Sequence, residues 1–177
     1  VTEVDAHHIA EMVRSSLVSE FGQAAYTDGY RVYTSIDSTH QAAANRALRH
    51  GLLAYDRRHG YRGPANTLDT ARLVDSSYVA TALANANAPS PLIPAIVLNV
   101  APDAVSLALA DTKRVVLGPS SWRWTKKSID AVVNPGDLIY VIDSLDGLLL
   151  AQRPEIDGAL VSLNPHDGAV LALVGGF

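Results

Sequence analysis

The chain has 177 residues, enough for one or two small domains, and its 48% hydrophobic and 18% charged composition excludes a disordered tail. A net charge of −4 without a basic excess argues against a dedicated nucleic-acid binder, and the absence of cysteine removes disulfides, zinc–thiolate sites and thiol nucleophiles together. No apolar run approaches the ~20 residues that span a bilayer, and Val1-Thr2-Glu3-Val4-Asp5 reads as the middle of a protein, so a targeting segment would lie upstream.

Residues 5–21 predict a short amphipathic helix, with Ile9, Met12, Val13 and Leu17 as one stripe and Gly22 as its stop. Thr27-Asp28-Gly29 makes a turn into a β-branched and aromatic strand at 31–36. Asp37-Ser38 offers an N-cap to an Ala-rich helix over 39–57, with Ala44, Leu48, Leu52 and Tyr55 on one face. A third helical stretch is expected at 66–88, with Ala71, Val74, Val79 and Leu83 inward, before the Ala88-Pro89-Ser90-Pro91 connector.

From Ala95 the hydrophobic period changes to two. Five strands are expected at 95–100, 105–110, 113–118, 137–142 and 148–153, with turns at Ala101-Pro102-Asp103, Asp111-Thr112, Asn134-Pro135-Gly136-Asp137 and Asp146-Gly147. The long gap between the third and fourth strands suits a five-stranded OB-like β-barrel, and an SH3-like barrel is the structural runner-up. Strands at 159–163 and 169–174 flank Asn164-Pro165-His166-Asp167-Gly168 as a terminal β-hairpin, and the second is apolar on both faces. The expected class is α+β: an OB-like barrel with flanking helices and a terminal β-hairpin.

Catalytic patterns are missing. The chain holds no Gly-x-Ser-x-Gly, no Ser followed three positions later by Lys, no Gly-x-x-x-x-Gly-Lys and no Gly-x-Gly-x-x-Gly. Ser162-Leu163-Asn164 matches Ser-x-Asn over three residues and runs into a turn, which reads as chance. His7, His8 and Glu11 share a helix face but lack a His-Glu-x-x-His pattern, so no metal, cofactor or catalytic residue is assigned. Asp56-Arg57-Arg58 reads as a solvated helix terminus.

One segment looks like a contact surface. Trp122, Arg123, Trp124, Lys126 and Lys127 interleave both tryptophans of the chain with three cations in the long loop. Such a set stacks on sugars or bases and pairs with anions. The competing reading makes one tryptophan the cap of the barrel mouth and leaves the lysines solvated.

Glu11-Met12-Val13-Arg14, Gly29 to Asp37 and Gln41-Ala42-Ala43 together resemble the segment that joins the two catalytic domains of class A (bifunctional) penicillin-binding proteins, type 1A. In that family a Thr-Thr-Leu/Ile-Asp strand end precedes a Gln- and Ala-rich helix; here Ser35 replaces the second Thr. Tyr55 to Gly63 is similar to the family's lead-in to an inserted OB-like domain, Ala151 to Val161 to its exit, and Asp167 to Phe177 to the opening hairpin of the transpeptidase fold. The resemblance covers 11–63, 92–118 and 136–177 and is weak at 66–91 and 120–133.

The resemblance implies a parent anchored in the bacterial inner membrane, with a peptidoglycan glycosyltransferase upstream and an acyl-serine DD-transpeptidase downstream, working on the periplasmic face. On that basis 1–64 would be linker and first transpeptidase strand and helix, 65–91 a helical connector, 92–155 the OB-like barrel and 156–177 the transpeptidase hairpin. The chain itself would be a non-catalytic linker and docking domain. Its partners would be the parent's glycosyltransferase and transpeptidase domains, together with peptidoglycan or an outer-membrane lipoprotein activator. The alternative is a free-standing OB module that binds single-stranded nucleic acid or oligosaccharide. A hairpin alone is marginal in water, so 169–174 is expected to fold back on the 31–36 strand and the Ala-rich helix, or to pair with another copy.

Overall fold

A computed structural model describes residues 4–110 and 113–177. The elements are α1 (His7–Phe21), α2 (Ala24–Thr27), α3 (Ser38–Arg58), β1 (Asn66–Thr67), α4 (Ser76–Asn85), β2 (Ile93–Ala101), β3 (Ala104–Ala108), β4 (Arg114–Leu117), β5 (Asp137–Ser144), β6 (Gly147–Ala151), β7 (Ala159–Leu163) and β8 (Val170–Gly175). They form two compact units, one of Leu53–Glu155 and one of Val1–Leu52 with Ile156–Phe177. The expected Asp111-Thr112 turn lies outside the described residues.

In the Leu53–Glu155 unit the five expected strands are present as β2 to β6, all antiparallel. The order is β1-β5-β2-β3-β4, with β6 also beside β5. β2 lies along one edge of β5, while β1 and β6 share the other through Thr67↔Asp137 and Tyr140↔Ala151. The ladder is open: among the described residues β4 and β6 do not pair, so the expected closed barrel gives way to an OB-like sheet with free ends. The reason lies in residues 118–136, which fold as 3-10 turns at Pro119–Ser121, Arg123–Thr125 and Ile129–Ala131 rather than extending the sheet.

Both faces of this sheet are covered. Val97, Leu107, Leu117, Ile139 and Val141 pack with Trp122, Ile129, Val132 and Val133 of the long connection. Ile96, Ala108 and Leu138 face Val79 and Leu83 of α4 and Leu68. Double coverage explains why Ala95, Ile96 and Val97 are all fully buried in succession.

The continuous helix expected at 66–88 is broken into β1, a 3-10 turn at Thr70–Arg72 and α4. Two aspartates cause the break. The Asp69 carboxylate accepts the Ala71 N–H, and that of Asp75 accepts the N–H groups of Ser77 and Tyr78, each starting a separate helix. Ala71 is exposed and Val74 is 94% exposed instead of inward, whereas Val79 and Leu83 are buried as expected.

In the second unit the half-buried stripe of α1 is Ile9, Val13 and Leu17, and Met12 is exposed. The strand expected at 31–36 has no regular secondary structure and joins no ladder among the described residues. Its alternation has no buried face, since Tyr33 is 88% exposed and Val32 is exposed too. Only its end is tied down: the Ser35 hydroxyl donates to Val170 O at 2.8 Å, and the Asp37 N–H to Leu171 O at 3.0 Å.

Asp37 then caps α3 by accepting the His40 N–H at 2.9 Å. That bond and the His40 ring hold its carboxyl below the ordinary Asp range. The hairpin β7–β8 folds back on α3, as expected, with Ala172 and Val174 buried against Ala44, Leu48 and Leu160. Gln41, 1% exposed, clasps Leu173 by accepting its N–H and donating to its carbonyl, both at 3.0 Å. A buried side chain thereby takes the place of a neighbouring strand.

Candidate functional site

The five residues marked in the sequence lie together in the long connection, but they divide by exposure. Trp122 is 5% exposed and belongs to the core. Trp124 is half-buried, its indole N–H donating to Leu150 O at 3.0 Å. Ser121, immediately before Trp122, donates its hydroxyl to Leu148 O at 2.8 Å. Leu148 and Leu150 are two apart on β6, so these bonds satisfy alternate outward carbonyls of an edge strand. The connection thus seals the edge with side chains where a closed barrel would use a strand.

Around Trp124, the Tyr61 ring stands edge-on at 6.0 Å and the Arg57 guanidinium lies 5.5 Å from the ring centroid. Arg123, Lys126 and Lys127 are exposed. Lys126 has φ 57, a left-handed conformation, and sets the tip of the turn. On the flank, the Ser128 side-chain hydrogen bond keeps the Asp130 carboxyl below its ordinary range. The loop therefore presents three cations, and its aromatic rings are committed to the protein.

A second polar cluster was not legible in the sequence. Asp56, at a helix end that the sequence marks as solvated, is 4% exposed, while Tyr55 beside it turns outward. Asp56 receives Arg62 on one oxygen and the Gln152 amide on the other, both at 2.7 Å. The same amide donates to Gly60 O at 2.8 Å, and the Gln152 carbonyl accepts the Arg62 N–H at 2.9 Å. Arg62 also reaches Arg153 O at 2.7 Å and Glu155 at 3.0 Å. The segments at the two ends of this unit, 56–62 and 152–155, are thereby clasped side by side. Its one sequence signal was the polar cluster Gln152-Arg153-Pro154-Glu155 after an apolar strand.

Among the described residues the one buried side-chain polar atom without a partner is the Tyr61 hydroxyl, and burial pushes that phenol's pKa up. No group of His, Asp and Glu among the described residues is arranged to hold a metal. His8 instead contacts Gly175 O at 3.1 Å, and Glu11 binds Arg14. Asn164 closes the hairpin turn by accepting the His166 N–H.

Residues 61–156 match the family model described as penicillin-binding protein OB-like domain. The chain is 40% identical to penicillin-binding protein 1A of Escherichia coli (strain K12), over 97% of this chain and 22% of that protein. It is 37% identical to penicillin-binding protein 1A of Haemophilus influenzae, over 99% of this chain and 21% of the relative. The crystal structure of penicillin-binding protein 1A from Haemophilus influenzae superposes with a TM-score of 0.86 at 36% identity, covering 98% of this chain and 26% of that one. The chain thus spans about a fifth of the length of these curated relatives.

Proposed function

The chain belongs to the penicillin-binding protein OB-like domain family, and from that premise we propose that it is a non-catalytic linker and docking domain of a bifunctional peptidoglycan synthase. The observation that carries this reading is the clasp of Asp56, Arg62 and Gln152. It holds the two ends of the OB-like unit together, as a domain inserted into a longer chain requires. The parent would be anchored in the inner membrane and would act on its periplasmic face as a glycosyltransferase and transpeptidase. Domain limits at 1–64, 65–91, 92–155 and 156–177 belong to the same reading. The parent's two catalytic domains would be the nearest partners.

The exposed cations Arg123, Lys126 and Lys127 suit an anionic ligand, and peptide-bearing glycan of the cell wall supplies carboxylates; an outer-membrane lipoprotein activator is the other candidate. Trp122 and Trp124 would shape that surface rather than stack on the ligand. Reversing all three charges (R123E, K126E, K127E) should leave the sheet folded, because the three side chains are exposed. Cosedimentation of the chain with purified peptidoglycan should then fall about tenfold, the scale set by losing several rim charges. Unchanged cosedimentation would leave the loop as a cap alone.

A further inference from the structure

β4 is the outermost strand of its sheet and pairs, among the described residues, with β3 alone. The direction of its free groups follows from the ladder. Leu109 donates to Lys113 O at 2.8 Å, and the register continues as Leu107↔Val115 and Val105↔Leu117. In an antiparallel pair, hydrogen-bonded and non-bonded positions alternate. The N–H and C=O of Arg114 and Val116 therefore point away from β3. An edge of this kind is a template for a further strand unless something covers it.

The same two residues face the α4 side of the sheet, since Arg114 pairs with Ala108, which packs under that helix. Between α4 and the edge runs a groove of about 70 Å³ lined by Val74, Ala80, Leu83, Leu98 and Ala108. Its lining carries a single charge, Arg114. Val74 flanks the groove, and Val116, 66% exposed, stands on the same edge.

We infer that this groove is a docking site for an extended peptide segment of a partner protein. The peptide adds to β4 as a strand, with a carboxylate opposite Arg114 and an apolar residue two positions away on the same face, beside Val116. Each feature selects one property of the occupant. Outward backbone groups select an extended chain, the small groove beside the strand takes one apolar side chain, and the guanidinium pairs with a carboxylate. The site stands apart from the 122–127 loop and holds whether or not that loop makes contacts.

The test is to pan a phage-displayed random-peptide library against the full chain and to synthesise the enriched peptide. Enriched sequences should hold an acidic and an apolar residue two positions apart, and binding should shift the amide resonances of residues 114–117 and 76–83. Arg114→Glu should weaken the acidic peptide about tenfold. Val116→Pro removes only an outward N–H, so it should abolish binding with the β3 ladder intact. If that variant does not fold, the peptide N-methylated at its pairing amides serves instead and should not bind to the unaltered chain. Three results overturn the inference: no enrichment over an unrelated target, shifts confined to other residues, or a concentration-dependent dimer of the chain that Val116→Pro dissolves, which would make a second copy the occupant.

Discussion

Lys126 is the one non-glycine with positive φ among the described residues, at φ 57, and it sits exposed at the tip of the cationic loop. An L-residue in that region carries a strain of about 1–2 kcal/mol. Glycine relieves it at an unfolded-state entropy cost of about 0.5–1 kcal/mol. Lys126→Gly should therefore stabilise the fold by roughly 0.5–1 kcal/mol in thermal denaturation; a lower melting temperature would show that the lysine side chain makes a compensating contact. Gly136 is the opposite case. It completes the Asn134-Pro135-Gly136-Asp137 turn with φ +93, the conformation that a type II turn needs after proline. A Cβ there would lie 2.7 Å from the Leu68 carbonyl oxygen. That carbonyl is backbone and cannot give way easily. Gly136→Ala should lose about 2–4 kcal/mol in urea unfolding, because strain and clash add. Gly168→Ala, at φ +75 with open space around it, should lose only about 1 kcal/mol. Equal losses at the two positions would mean that the turn at 134–137 simply shifts.

Among the elements, β7–β8 is the least self-sufficient. Two strands do not make a stable sheet in water, so the hairpin depends on α3. One face is covered by Ala44 and Leu48, and Gln41 satisfies Leu173 on the edge. The other face leaves Val161 and Leu163 exposed. β5 by contrast is flanked by strands on both edges and buried on both faces over Leu138–Val141. Hydrogen exchange in the dilute chain should therefore be faster at amides 171–174 than at 138–141, because local opening is easier where fewer apolar contacts must break. Equal protection would show that α3 and the hairpin open only with the global transition. The periodicity of β2 to β6 and of α3 was readable because each element carries a repeated apolar pattern. The 31–36 segment has β-propensity but no buried face in this chain, and propensity alone does not make a ladder.

At the scale of the whole molecule, the two units draw on the sequence differently. The Leu53–Glu155 unit contains five strands whose period of two, turn residues and long third connection were visible as written, and with them its OB-like character. The all-α expectation for 66–88 failed because Asp69 and Asp75 act as caps, which composition does not distinguish from solvated aspartates. The five residues singled out in the 122–127 loop divide by exposure: its tryptophans are packing residues and its cations face out. An amphipathic indole suits either role, and only the presence of an unpaired Leu150 carbonyl within reach selects one. The sequence by itself determined strands β2 to β8, helices α1 and α3, the turns at glycine and proline, and the lack of nucleophile motifs, since these rest on local spacing and residue chemistry. Tertiary structure alone decided that, among the described residues, the sheet stays open and the β4 edge has no further strand, and that Asp56, Gln41 and Gln152 are buried polar clasps. Each of those depends on which backbone groups remain unpaired once distant segments meet, and no local pattern carries that information.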